Sequence, residues 1–336
     1  MAVSLPLLII SVATLFAYLL IGFILKKSGI AKEGFAGALS VYIVYAAQIA
    51  MFLHGYIAPF DSEVLRGMAA VFVLSLLIHA GSYLLSIRLF AKAPEAVKSA
   101  LIFGTVFSNA GYMGLPLISD VLGDRYLIYA TVYLIWFNVF SYSLGRYVFS
   151  RDKSFISPVK TVVNPAVIPI CIGIILYVTG AGGWIASAAA RDASGALIRD
   201  DLAGNVCSMA VGMIDTLRRS VAPASMIIIG VRLADVDHRG IFGDRRLYPF
   251  LAVRHFLYPL IAFAVMKPLQ LAGIIDTNVM SVILILTATP AASATAIFSE
   301  LYGKGRTDCA YAGKLVAVST LLSILTMPVV ALLMKI

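Results

Sequence analysis

Long apolar runs alternate with short charged or Gly/Pro-punctuated connections along the whole chain, at 5–25, 35–58, 67–91, 99–122, 126–149, 161–180, 206–233, 247–268, 278–301 and 309–334. The runs are continuous rather than alternating, and each is close to the roughly 20 residues a helix needs to cross the hydrocarbon core. In lipid every backbone group must be satisfied within its own segment, so the pattern predicts helices rather than barrel strands. The expected fold class is an all-α polytopic membrane protein of ten transmembrane helices. The first run lacks a basic leader and is too long for the apolar stretch of a signal peptide, so it reads as a span. One connection stands apart: the outer loop 182–205 is long, small and polar, with Trp184 and Ile185 interspersed. A surface helix and a disordered loop fit it equally.

Spans 1–5 and 6–10 carry matching landmarks about 180 residues apart, with Ser119-Asp120-Val121-Leu122-Gly123 answering Ser299-Glu300-Leu301-Tyr302-Gly303. Five is an odd number, so the second half enters the membrane from the opposite side, and the pattern predicts two inverted five-helix repeats with a site near the midplane. Span 4 contains Ser108-Asn109-Ala110-Gly111-Tyr112-Met113-Gly114-Leu115-Pro116, a composition that disfavours a continuous helix. Span 9 carries Thr287-Ala288-Thr289-Pro290-Ala291-Ala292-Ser293 at the corresponding place, with Pro290 facing Ala110 in the offset and expected to open a new half-helix. Helices 4 and 9 are therefore expected to be broken and to cross. The second half of each would present free amides and a positive dipole end at mid-membrane, an arrangement suited to a carboxylate. Asn109, Thr289 and Ser293 can add hydrogen bonds there without burying a fixed charge.

Composition adds the solvent. Hydrophobic residues make up 61% and charged residues 13% of the 336, which leaves no room for a sizeable soluble domain. A net charge of +9 would suggest nucleic acid in a soluble protein, but here it follows from loop asymmetry and no nucleic-acid partner is expected. Most basic residues fall in or beside the connections between spans 1–2, 3–4, 5–6, 7–8 and 9–10: Lys26, Lys27, Lys32, Arg88, Lys92, Lys98, Arg146, Arg151, Lys153, Lys160, Arg232, Arg239, Arg245, Arg246, Lys304, Arg306 and Lys314. By the positive-inside rule these connections are cytoplasmic, so both termini are expected outside, in a plasma (inner) membrane.

Charges within spans are costly, about 2.5–3.5 kcal/mol each at a helix centre on insertion scales, and so mark candidates for charge handling or coupling. Asp215, Arg218 and Arg219 either pair one turn apart in span 7 or form its solvated outer flank. Arg254, about two turns into span 8, is expected chiefly to snorkel to the inner interface, with substrate or proton handling as the other option. His54 and His79 read first as packing residues, His79 being the better relay candidate. Asn138 reads first as helix-to-helix glue, with a substrate contact as the other option. Cys171, Cys207 and Cys309 are isolated, with no disulfide or zinc spacing. There is no phosphate-cradling glycine loop, HExxH or nucleophile elbow, so neither an enzyme nor an ATP-driven pump is supported. No cofactor or metal is expected, and proton and sodium coupling both stay open.

Asn109-Ala-Gly-Tyr-Met-Gly-Leu-Pro116, Asn164-Pro165, the run from Val221 through Pro223 and Gly230 to Asp235, and Ala288-Thr-Pro290 together resemble the auxin efflux carrier family. The order is right over essentially the whole chain, and the absence of a long hydrophilic central loop makes it similar to the compact bacterial members, which carry dicarboxylates such as malonate and malate. The resemblance implies a fold like that of bile-acid sodium symporters. Residues 1–58 and 161–233 would form a scaffold of spans 1, 2, 6 and 7, and residues 67–149 and 247–334 a moving transport domain of spans 3–5 and 8–10. It also implies an anion held at the crossing beside Asn109 and Pro290, and a homodimer through the scaffold. Span 2 departs from the family pattern: it reads Ala46-Ala47-Gln48 where a proline is usual, and Gln48 is expected to supply a polar contact instead.

The function expected is secondary transport, by efflux or exchange, of a small mono- or dicarboxylate through an elevator-like mechanism. A non-transporting membrane receptor for such a ligand is the alternative. The substrate-binding set is Asn109, Gly111, Tyr112, Gly114, Pro116, Thr289, Pro290, Ser293 and Gln48. The charge or coupling set is Asp215, Arg218, His79 and Arg254.

Overall fold

The computed structural model describes residues 4–155, 166–192, 194–236, 243–303 and 305–335. The motif Asn164-Pro165 and the basic residues Lys160, Arg239 and Lys304 lie outside them. All regular secondary structure among the described residues is helical, apart from two isolated backbone bridges.

Among the described residues, six helices are long and apolar enough to cross a bilayer: α1 (Leu5–Lys27), α2 (Phe35–His54), α3 (Ser62–Leu89), α6 (Asp124–Ser150), α11 (Leu247–Leu271) and α14 (Cys309–Met334). The other helices among the described residues are shorter. These are α4 (Glu95–Val106), a π turn Ala110–Gly114 leading into α5 (Leu115–Val121), α7 (Val167–Val178), α8 (Ala181–Ala188), α9 (Leu202–Arg219), α10 (Val221–Asp235), α12 (Thr277–Ala288) and α13 (Ala294–Tyr302). The pair α7 and α8 is bent by 81° and can count as one further span. Length and apolarity thus give fewer unbroken spans than the ten expected, because the stretches expected as spans 4, 7 and 9 are each divided.

Local chemistry sets many of the boundaries. Ser4, Asp61, Asp201, Asp276 and Asp308 cap α1, α3, α9, α12 and α14, each accepting a first-turn amide with its side chain. Of the two readings open for 182–205, a surface helix or a disordered loop, the described residues are partly helical: α8 runs through its start, and α9 begins at Leu202 rather than 206. Between them the Asp192 carboxylate accepts from Ser194 Oγ, Ser194 N and Ala196 N. These bonds, the hydroxyl's first, hold it below the usual carboxylate range. The turn's contribution is therefore present above that range and lost as pH falls below it, through the depressed folded-state value.

The most extensively packed helix pair among the described ones is α1 with α10. A Cβ on Gly22 would lie 2.1 Å from the Ile227 carbonyl oxygen, and one on Gly230 would lie 1.9 Å from that of Leu19. The two backbones meet where each helix has no side chain, the small-residue packing that helices use in lipid, where apolar burial supplies little net drive. Against this pair, α2, α9 and α5 pack from the sides.

Candidate functional site

Helical structure stops at Val106 and resumes at Ala110; it stops again at Ala288 and resumes at Ala294. Phe107 is extended (φ −100°, ψ 113°), as is Thr289 (φ −62°, ψ 153°). For Thr289 the cause is the following Pro290, whose ring disfavours the helical region in the residue before it. The two extended stretches pair antiparallel through Ser108 and Ala291. Asn109 N donates to Pro290 O at 2.7 Å and Ala292 N to Phe107 O at 2.8 Å. The pair of bonds is unchanged by exchanging 107 with 290 and 109 with 292, an offset of 183 (291 − 108) rather than 180. Two details expected from sequence are corrected. Pro290 does not face Ala110, and it does not open a half-helix, because helical structure resumes only at Ala294. Its role is to hold Thr289 extended and to offer its carbonyl to Asn109.

The first turns of both resumed segments border one cavity of about 110 Å³, room for a small molecule. Asn109, Gly111 and Tyr112 line it from one side, Ser293 and Ala294 from the other, with Gln48, Asn138 and Ser141 completing the polar wall. First-turn amides have no carbonyl partner within their own helix. A Cβ on Gly111 would come within 2.9 Å of Gln48 Nε2, so the missing side chain lets the Gln48 amide approach. Tyr112 is held from outside the crossing: its carbonyl accepts Ser225 Oγ of α10 at 2.9 Å.

The structure thus gathers Gln48, Asn109, Gly111, Tyr112 and Ser293, and places the other expected residues elsewhere. Gly114 packs under Leu286 and Thr289, where a Cβ would come within 2.6 Å of Leu286 Cδ2. Thr289 is fully buried and bonds Leu286 O at 2.8 Å. Pro116 lines a second, larger cavity of about 520 Å³ with Asp120, Asp124, Arg218 and Arg219. His79 is packed among Tyr133, Phe107, Phe137 and Phe140, its Nδ1 bonded to Ser75 O at 2.7 Å.

Asp215 and Arg218 do pair, and the pair extends further than one helix. Arg218 is only 7% exposed. Its Nε donates to Asp215 Oδ1 at 2.8 Å, while Nη1 and Nη2 grip both oxygens of Asp124 at 3.1 and 2.7 Å. The fork joins α9 to the start of α6, whereas Arg219 remains exposed and bonds Asp215 Oδ2. Replacing Arg218 by Met leaves two carboxylates facing each other; a loss of about 1–3 kcal/mol is expected, tempered because both acids are partly solvated. Lys should recover only part of it, lacking the bidentate geometry. Chemical denaturation of the three proteins checks the order, and equal stability for Met would remove the fork's importance.

Arg254 is the clearest departure from expectation. It does not snorkel: it is 1% exposed and donates Nη1 to Thr105 O at 3.0 Å, Nε and Nη2 to Thr289 O at 3.2 and 3.0 Å, and Nη2 also to Thr287 O. These carbonyls belong to the ends of α4 and α12, the two helices that stop at the crossing. Next to it His255 bonds Thr326 and Ser319, each at 2.9 Å, and Ser319 Oγ accepts Ala291 N at 2.9 Å.

Sequence reasoning missed one recurrent device. Among the described residues there are four π turns, Ile43–Ala47, Ala110–Gly114, Ser141–Gly145 and Val253–Leu257. Each brings a residue to the crossing or its cavity: Val44, Gly111 and Tyr112, Ser141 and Tyr142, and Arg254. Such turns recur at functional sites because they shift side-chain register within a helix, and no residue pattern announces them. Tyr142 also carries the Arg146 guanidinium on its ring at 4.5 Å, a positive charge near the cavity that the loop count alone could not place.

No curated protein matches the chain. The profile of the membrane transport protein family matches residues 149–331, more than half of it. With the helical architecture and the resemblance of its motifs to the auxin efflux carriers, this match settles the family: the chain belongs to the membrane transport protein family, and is an integral, multi-pass membrane protein.

Proposed function

We propose that this membrane transporter carries a small organic anion, a mono- or dicarboxylate, by alternating access of the elevator kind. One observation carries the reading: the first turns of two resumed helical segments border the same small cavity, whose other polar groups, Gln48, Asn109, Asn138, Ser141 and Ser293, are neutral. Each helix start is worth about half a positive charge. Two of them facing one cavity favour an anion, and carboxamides and hydroxyls can hydrogen-bond its oxygens without a countercharge that would hinder release.

In this reading the segments Glu95–Val106 with Leu115–Val121, and Thr277–Ala288 with Ala294–Tyr302, are broken spans 4 and 9 of two inverted five-helix repeats. The exchange symmetry of the hydrogen bonds at Ser108 and Ala291 supports that pairing. Residues 1–58 and 161–233 serve as scaffold, residues 67–149 and 247–334 as the moving part, and both termini lie outside a plasma membrane.

Purified protein screened by thermal shift against small carboxylates, across pH and sodium, should be stabilised by at least one of them. The same compound, radiolabelled, should cross proteoliposomes faster than it crosses protein-free vesicles. Stabilisation without flux would replace transport by a receptor role, and stabilisation by organic cations alone would overturn the anion assignment.

A further inference from the structure

Carbonyls in the last turn of a helix lack amide partners and carry the negative end of the dipole. Where two half-helices end inside a membrane, transporters commonly fill that negative place with a coupling sodium ion or proton. In this chain α4 and α12 end together, and the oxygens of Thr105, Thr287 and Thr289 converge on the Arg254 guanidinium. Arg254 reaches them from the π turn Val253–Leu257. It makes no ion pair with a carboxylate among the described residues; its counter-charges are the helix ends, with the Tyr258 ring at 5.4 Å. Two half-charges of negative sign against one fixed positive charge balance to near zero. The guanidinium remains protonated under ordinary conditions, so it is a cation that never leaves.

We infer that Arg254 is a built-in substitute for a coupling cation at the crossing, so that this carrier works without sodium. The inference rests on the transport reading, and it also makes a claim about the protein at rest. A sodium ion needs oxygens whose lone pairs are free, and Arg254 already holds the three carbonyls that would supply them.

The test titrates sodium chloride against N-methyl-D-glucamine chloride at constant ionic strength. It reads the melting temperature of purified protein and, separately, uptake of radiolabelled malonate into proteoliposomes. Wild-type protein should show no saturable sodium effect on melting, and uptake should differ by less than about twofold between the two salts. Arg254→Ala should melt several degrees lower and regain stability saturably with sodium or guanidinium, which can enter the vacated place. Arg254→Lys should melt between the two and stay indifferent to sodium, which keeps the test decisive should the alanine variant not fold. Saturable stabilisation of the wild type by sodium, or uptake that falls tenfold or more without it, would overturn the inference, as would an alanine variant as stable as the wild type. Absence of malonate uptake in every salt would count against the transport reading, and the melting arm would still decide the role of Arg254.

Discussion

Asn109→Asp is expected to abolish carboxylate uptake while leaving the protein folded and in the membrane. The two side chains are nearly isosteric, and Asn109 is fixed by its backbone, through Asn109 N to Pro290 O and through Met113 N and Gly114 N to Asn109 O. None of those bonds depends on the side-chain amide. The substitution places a negative charge against the cavity bordered by Gly111, Tyr112, Ser293 and Ala294, so the helix starts would neutralise the protein's own carboxylate instead of the substrate's. Asn109→Ala should fall less far, by about 10- to 100-fold, the range for losing one hydrogen bond to a charged group. Initial rates in proteoliposomes at matched protein content measure both. Wild-type rates for Asn109→Asp would remove the cavity from the transport path.

The second large effect concerns folding rather than flux. Gly230→Val should yield little or no monodisperse protein, because even its Cβ would stand 1.9 Å from the Leu19 carbonyl oxygen and 2.8 Å from Phe23 N. Overpacking against side chains typically costs about 1–3 kcal/mol. Here the obstacle is backbone on both helices, so the cost lies at or beyond the top of that range. Gly212→Ala on α9, where nothing lies within 4 Å of the added carbon, is the matched control. It should be neutral or slightly stabilising, since alanine is the better helix former by about 1 kcal/mol. Size-exclusion profiles of the two variants after identical extraction make the comparison. A well-behaved Gly230→Val would mean that α1 and α10 can separate without loss of the fold.

Much of this molecule was legible in its sequence because lipid imposes simple rules. Apolar runs of helical length marked α1, α2, α3, α6, α11 and α14, and the Asn-Gly-Gly-Pro and Thr-Pro clusters marked the places where helical structure stops. Gln48 was picked out by its departure from a family pattern, and it lines the same cavity as Asn109. What escaped was whatever depends on register and partner rather than residue type. Pro116 and Thr289 have the right chemistry, but one faces another cavity and the other turns its hydroxyl into its own helix. Arg254 was misjudged because a snorkelling arginine and one that caps distant helix ends have the same sequence signature. Only the π turn that carries it and the convergence of Thr105, Thr287 and Thr289 tell them apart.

The glycine seam between α1 and α10 has a mechanical corollary. Two helices locked backbone to backbone act as a stiff rail, so in the proposed cycle travel falls on whatever slides along them. In that cycle at least three polar catches hold the slider at the end of the rail seen here: Arg218 on Asp124, Ser225 on the Tyr112 carbonyl, and Thr131 on the Tyr56 hydroxyl. All of them must let go for such a stroke to begin, and the Arg218 catch is the charged one. It sets how long the slider dwells at that end, and therefore the tempo of the stroke rather than the tightness with which cargo is held.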